Sequence, residues 1–339
     1  MNTDSPHLAV AGATGAVGIE ILECLEQRGF PVGRLTLLAS ARSAGKTLPF
    51  RGQEIEVKEL TKASFTGVDI ALFSAGGSIS REFAPAAAEA GAVVVDNSSA
   101  FRMDEEVPLV VPEINPGDAR HHNGIIANPN CTTIVTLMGL FPMHEAFGGV
   151  TKIIASSYQA VSGSGAQGIA ELEKQVAALS RGEPLPDCGV YPCQIAFNLI
   201  PQIDSFQENG YTKEELKMHF EGRKILHAPD LRASVTCVRV PVYRSHAVAV
   251  TAVFRDEPDV EEARRAVEAA PGVQLRDEPF AETPSYPTPL DCTGKDDCLV
   301  GRIRRDLVLD RALTFWVVGD QVRKGAALNA VQIAELLLT

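Results

Sequence analysis

The feature that most constrains the fold stands near the start of the chain. An apolar run at 8–11 passes directly into Gly12, Gly15 and Gly18, and then into Val17, Ile21, Leu22 and Leu25 at helical spacing. A strand that turns on glycines into a helix leaves backbone N–H groups and the positive end of a helix dipole at the turn. The small residues let a pyrophosphate approach the backbone, or they serve the turn alone; the motif by itself leaves both readings open. Further apolar strands follow at 34–40, 68–75, 92–98 and 124–129, with a helix over 80–90. Strand–helix alternation implies a parallel sheet with right-handed crossovers.

The texture changes after residue 130. A helix follows Cys131, then a strand at 151–161, a Gly/Ser loop at 162–168 and a helix at 169–179. Residues 182–211, rich in Pro, Cys and Gln, read as irregular. A helix over 212–226 has Thr212 as N-cap with Glu215 behind it. The segments 232–242 and 245–254 alternate like paired strands; a helix at 259–270, a strand at 312–320 and a helix at 325–338 follow. The expected fold is α/β. Residues 1–130 form a Rossmann-type dinucleotide-binding domain, 131–319 an α+β substrate and dimerisation domain, and 320–339 return to the first domain.

Charge and cysteine usage bound the function. The 339 residues carry a net charge of −12, so no broad basic field exists for a nucleic acid or an anionic membrane. A small anionic substrate needs only a few local cations. The seven cysteines are odd in number and no signal-peptide pattern precedes them, which predicts free thiols in a reducing, cytoplasmic setting. No apolar run approaches the ~20 residues of a membrane span. The spacings of Cys188 with Cys193 and of Cys292 with Cys298 are not those of a zinc knuckle, so no metal is expected.

The second strand bears on cofactor choice. An NAD site usually places Asp or Glu near its end, yet residues 36–46 contain no acid. Arg42 is in reach of a ribose 2′-phosphate, with Ser43 as a donor and Lys46 nearby. A solvated loop arginine is the plainer alternative; the combination favours NADP.

Cys131 lies between Pro129-Asn130 and an apolar helical run. A thiol in the first turn of a helix feels the dipole, which favours the thiolate, and Asn130 with nearby amides would steady an oxyanion. Buried free cysteine as a small hydrophobe is the competing reading. Thiolate with nicotinamide points to thioester chemistry, which needs a proton shuttle. The candidates are His7, His121, His122, His144, His219, His227 and His246, most of which must be ordinary surface or core residues.

Long motifs in order then carry a resemblance. They are GATGAVG at 12–18, SARSAGK at 40–46, VVDNSSAFRM at 94–103, VPEINP at 111–116, NPNCTT at 128–133, SSYQAVSGSG at 156–165, EELKM at 214–218, VTCVRVPV at 235–242 and RKGAALNAVQIAE at 323–335. End to end, the chain resembles the aspartate-semialdehyde dehydrogenase family.

The resemblance implies NADP-dependent reductive dephosphorylation of L-aspartyl 4-phosphate to L-aspartate 4-semialdehyde, a step feeding lysine (through diaminopimelate), threonine and methionine synthesis. It implies Cys131 as the nucleophile, Gln159 as a substrate-orienting residue and His246 as acid/base. Arg239 would pair with the substrate carboxylate and Glu214 with its ammonium, while Arg102, Lys217 and Asn130 would hold phosphate. Gly12, Thr14, Gly15, Ala16, Val17, Ser40, Arg42 and Ser43 would line the NADP site, closed near the nicotinamide by Ser162, Gly163 and Gln321. A homodimer or homotetramer is implied. The charges agree, since an anionic acyl phosphate with an ammonium group needs several cations and one carboxylate. Glu214 and Lys217 share a helix face, although an ordinary surface ion pair would look the same.

One departure stands out. The family usually reads Gly-His-Ser-Glu around the histidine, where this chain has Ser245-His246-Ala247-Val248. The missing acid bears on how His246 is oriented. The alternatives are an NADP-binding, Usg-like paralogue with weak, altered or no activity, or a related acyl-phosphate reductase.

Overall fold

A computed structural model describes residues 4–338. The chain folds as two compact units: the first runs to Asn130 and resumes at Gly325, and the second spans Cys131–Lys324.

In the first unit, β1 (His7–Ala11) leads through the glycine turn to α1 (Ala16–Gln27). There follow β2 (Arg34–Ala39), β3 (Thr47–Phe50), β4 (Gln53–Glu59), β5 (Ile70–Phe73), α2 (Gly77–Glu89), β6 (Val93–Asp96) and β7 (Ile125–Ala127). The sheet order is β3-β4-β2-β1-β5-β6-β7. All neighbours are parallel except β3 and β4. That pair is a hairpin the sequence reading missed, turned by Arg51 at φ 49° and Gly52 at φ 74°, two left-handed residues in succession. Alternate strand residues serve opposite cores. Leu8, Val10, Leu37, Ile70 and Leu72 face α1, whereas Ala9, Ala11, Leu38, Ala71 and Phe73 join Ala84 and Ala87 of α2. A sheet covered on both faces needs strands apolar throughout, which is why these read as continuous runs.

The second unit begins with α3 (Cys131–Ala146), β8 (Val150–Gln159), α4 (Gly165–Ser180), α5 (Lys213–Ile225), β9 (Arg232–Arg239), β10 (His246–Phe254) and α6 (Val260–Ala269). It continues with β11 (Val273–Leu275), α7 (Pro289–Cys292), β12 (Cys298–Arg305) and β13 (Ala312–Gly319). The order is β11-β12-β13-β10-β8-β9. The expected pairing of 232–242 with 245–254 is therefore corrected. β8 lies between them, parallel to β9 and antiparallel to β10. The 240–245 link crosses the end of β8 and is pinned there by Val161 N–H to Val242 O at 2.8 Å and Ser162 N–H to Tyr243 O at 3.1 Å. Residues 132–140 of α3 are all buried, and the helix packs on β10, β12 and β13 as well as α5 and α6. A Cβ on Gly139 would lie 2.9 Å from Val317 Cγ2, so glycine permits that close approach.

The chain re-enters the first unit at Gly325 rather than at residue 320, and α8 (Leu328–Leu336) adds Leu328, Val331 and Ile333 to the core beside α1. Among the described residues, no helix is long and apolar enough to cross a membrane.

Candidate active site

In the first unit, the glycine turn has the shape of an anion cradle. Gly12 takes φ 83°, and a Cβ on it would lie 2.5 Å from Ser74 O; one on Gly18 would collide with the carbonyls of Gly12 and Ala13. Gly12 and Ala13 N–H both donate to Leu38 O at 2.8 and 3.1 Å, which ties the turn to the end of β2. Gly15 caps α1 without a side-chain hydrogen bond, Gly15 and Ala16 are exposed, Thr14 and Val17 are half-buried, and the first turn of α1 holds no acid. Those amides suit a pyrophosphate. Beyond β2, a single 3-10 turn (Ala41–Ser43) exposes Ser40 and Arg42 and buries Ser43.

Arg102 and Asn130 also belong to the first unit. Arg102 is buried, donating from Nε to Asn128 O at 2.9 Å and from Nη2 to Asn97 O at 2.8 Å. Asn128 donates to Asn97 Oδ1 at 2.7 Å and accepts from Asn329 Nδ2 at 2.6 Å. This web fixes the buried segment that leads through Pro129 and Asn130 to Cys131. Arg102 is thus a backbone anchor as well as an expected phosphate ligand, and Asn97, Asn128 and Asn329 are contributors that the sequence reading missed.

In the second unit, the C-terminal end of β8 gathers the remaining residues. Gln159, 1% exposed, donates from Nε2 to Thr132 Oγ1, one residue past Cys131 at the start of α3. It also donates to Glu214 Oε1 at 3.0 Å. The Glu214 Oε2 atom receives Lys217 Nζ at 2.6 Å. Glu214 stands in the first turn of α5, whose start is set by a reciprocal Thr212–Glu215 capping box. Glu215 also accepts the Cys237 N–H at 3.0 Å, fastening α5 to β9.

The next residue, Ala160, works through its main chain. Its N–H donates to His246 Nδ1 at 3.1 Å, and its carbonyl accepts from Arg239 Nη1 at 2.6 Å. Gln159 and Arg239 are ladder partners. A Cβ on Gly163 would lie 2.8 Å from Arg239 Nη1 and 3.4 Å from His246 Nε2, so glycine there keeps open the space both groups face. Ser245 N–H donates to Gln321 Oε1 at 2.8 Å, and Gln321 Nε2 donates to Ser162 Oγ. Gln159, Glu214, Lys217, Arg239 and His246 thus come together, with Ser162, Gly163 and Gln321 beside them. The orientation of His246 comes from the Ala160 amide, while Ala247 and Val248 are simply buried in β10, 1% and 0% exposed.

The electrostatics follow from burial. His246 is pushed down to about 3 by burial first, then by the Arg239 charge; Glu214 and the Ser245 carbonyl pull the other way. Burial also lowers the Arg239 pKa, against Tyr191, Glu214, Cys131 and Cys237. Cys237 is pushed up to about 12 by burial and the neighbouring Glu214. Gln159 Oε1 is buried and accepts no hydrogen bond among the described residues, an acceptor left for a donor on a ligand. Among those residues, no group of three or more His, Cys, Asp and Glu side chains is arranged to hold a metal ion.

Comparison with known proteins agrees with this geometry. Residues 7–122 match the family model for the semialdehyde dehydrogenase NAD binding domain, and 140–324 match that for the semialdehyde dehydrogenase dimerisation domain. The aspartate-semialdehyde dehydrogenase of Aquifex aeolicus is 51% identical over 335 residues, covering 98% of each chain. The structure of aspartate semialdehyde dehydrogenase II from Vibrio cholerae complexed with ASA superposes with a TM-score of 0.94 at 48% identity, covering 98% of each chain. The Candida albicans enzyme with NADP gives 0.74 at 25% identity, again covering 98% of each. With both domain models matched and half of its residues shared with a relative of the same length, the chain belongs to the aspartate-semialdehyde dehydrogenase family.

Proposed function

We propose that the protein reduces L-aspartyl 4-phosphate to L-aspartate 4-semialdehyde with NADPH, through a thioester on Cys131. The observation that carries this reading is the convergence at Gln159 and Ala160, which sets a carboxylate, a guanidinium and an imidazole beside the strand end and links them to the helix that begins at Cys131. That donor set matches an amino-acid substrate. Arg239 receives the α-carboxylate, Glu214 the α-ammonium, and Gln159 Oε1 accepts from the ammonium or an ordered water. Arg102, Lys217 and Asn130 serve the phosphate.

The Cys131 thiolate adds to the C4 carbonyl, and the phosphate leaves with the electron pair of its C–O bond. NADPH, which the glycine turn and Arg42 would hold, would supply the hydride that the thioester carbon takes up. Collapse then breaks the C–S bond, releases the aldehyde and returns the thiolate. The amides of the glycine turn suit the cofactor pyrophosphate, and Arg42 with Ser40 and Ser43 suits the 2′-phosphate, which a carboxylate would repel. The expected assembly is a homodimer or homotetramer working in the cytoplasm.

The test is NADPH formation from L-aspartate semialdehyde, NADP and phosphate by the native protein and by Cys131→Ala. Turnover in the first and none in the second is expected. No turnover in either, with NADP still bound, would count against the reading.

A further inference from the structure

We propose that Tyr191 is a positioning residue for the substrate carboxylate: its hydroxyl, presented by a loop that Glu171 and Gln175 fold, holds the 161–164 turn in place beside Arg239, so that the guanidinium keeps its aim at the space left clear by Gly163. That Arg239 receives the α-carboxylate rests on the function proposed above; the anchoring of the turn rests on geometry alone.

The irregular segment after α4 is tightly built in its middle. One face of α4 carries Gly168, Glu171, Leu172 and Gln175, all buried. The Glu171 carboxylate accepts the Gly189 N–H at 2.9 Å and the Val190 N–H at 2.6 Å on one oxygen, and the Tyr191 N–H at 3.4 Å on the other. One helical turn on, Gln175 Oε1 accepts the Ile195 and Ala196 N–H groups at 2.9 and 3.0 Å. Backbone groups with no strand to pair with are satisfied instead by two side chains of a helix. Between these two clamps Tyr191 turns inward and joins Val161, Leu172, Ile195, Ala196 and Ile200 in a small apolar core. Packing alone would be served by phenylalanine, whereas a buried hydroxyl needs a partner.

That partner is Val161 O, to which the Tyr191 hydroxyl donates at 3.3 Å. Gly168 permits the approach, because a Cβ there would lie 2.5 Å from Tyr191 Oη and 2.6 Å from Val161 O. The turn is therefore gripped from two sides. The 240–245 link holds it through the Val161 and Ser162 N–H groups, and Tyr191 holds it through the Val161 carbonyl. Arg239 depends on that turn. Its Nη1 donates to Ala160 O at 2.6 Å, an oxygen that also accepts the Gly163 N–H at 3.1 Å. A Cβ on Gly163 would lie 2.8 Å from the same nitrogen. A turn free to rock would move both the acceptor and the glycine that face the guanidinium. Tyr191 is also the foremost side-chain influence on Arg239, ahead of Glu214, Cys131 and Cys237. Burial pushes the phenol pKa up, against the Ser164 hydroxyl and the Arg239 charge, so the hydroxyl keeps the proton it donates.

The test separates anchoring from packing. In the full-length protein, Tyr191→Phe keeps the ring in its core and removes only the hydroxyl. The KM for L-aspartate semialdehyde should rise about 5–20-fold, the scale of one hydrogen bond, with kcat within about threefold and the KM for NADP unchanged. Hydrogen exchange should be about tenfold faster across residues 161–165 in the same variant. Glu171→Gln, which weakens the gathering of 189–191, should raise the same KM and carries the test should Tyr191→Phe fail to fold. An unchanged KM in either folded variant, or a fall in kcat with KM unchanged, would overturn the positioning role. Unchanged exchange in Tyr191→Phe would overturn the anchoring. Absence of turnover in the native protein, with faster exchange in Tyr191→Phe, would instead overturn the proposed activity, because exchange is read without turnover.

Discussion

Gln159 and Glu214 are joined by a buried hydrogen bond of 3.0 Å from Nε2 to Oε1, so the strand that carries the first and the helix that carries the second share one polar junction. Glu214 is also paired with Lys217 at 2.6 Å, and the junction holds its charge only while the carboxylate is ionised. Glu214→Gln keeps the shape and removes the charge. The expected result is a KM for the semialdehyde raised about 10–100-fold with a smaller change in kcat, because a hydrogen bond to a charged group is worth roughly 1.5–3 kcal/mol. Steady-state kinetics decide, and an unchanged KM would remove Glu214 from ammonium recognition.

Ser245 precedes His246 at φ 74°, a left-handed conformation that L side chains resist. It is fully buried, and its Oγ lies 2.9 Å from Thr293 Oγ1. Two effects oppose each other in Ser245→Gly. Glycine relieves about 1–2 kcal/mol of strain but deletes a hydrogen bond with a net worth of about 1 kcal/mol. Near-neutral stability is expected, within about 1 kcal/mol by urea unfolding. Ser245→Val keeps the strain, loses the bond and adds a β-branch; a loss of roughly 2–4 kcal/mol is expected from those combined terms. Equal stability for both variants would show that the backbone here is not strained.

The sequence made the first unit readable because its sheet is covered on both faces. Strand β5 is apolar at every position and β1 at every position after His7, and glycine marks the turn after β1. The β3–β4 hairpin escaped because β4 exposes Glu54, Glu56 and Lys58 on alternate positions and its turn is Arg-Gly rather than the commoner Asn-Gly. Strand order in the second unit escaped for another reason. Alternation in β9 and β10 says that each is half-buried, not which partner it takes, and β8 claimed an edge of both. Residue type alone made Cys131 and seven histidines candidates, and it was the family resemblance that singled out Gln159, Arg239 and His246. Main-chain contributions were not legible. The Ala160 N–H that orients His246 has no signature in a one-letter code, and Thr132 reads as an ordinary helix residue.

The proposed preference for NADP rests on Arg42, exposed in the turn after β2 between the exposed Ser40 and the buried Ser43. Arg42→Ala should lower kcat/KM for NADP by about 10–100-fold, the range of one lost charge-assisted hydrogen bond, and leave that for NAD unchanged. Equal loss with both cofactors would place Arg42 outside 2′-phosphate recognition.

The buried histidine also sets an acid limit on the fold. His246 titrates near 3 when folded, far below its ordinary value of 6.5. As pH falls below that ordinary value, the unfolded chain binds a proton that the native state refuses. Stability contributed by neutral burial is therefore full above pH 6.5 and is lost as pH falls toward 3, at up to about 1.4 kcal/mol per pH unit. His246→Gln cannot titrate and should lose stability less steeply between pH 6 and 4. Urea unfolding at closely spaced pH values measures both slopes. Parallel slopes for native protein and variant would mean that His246 takes up its proton in the folded state, which its burial beside Arg239 and the Ala160 N–H opposes.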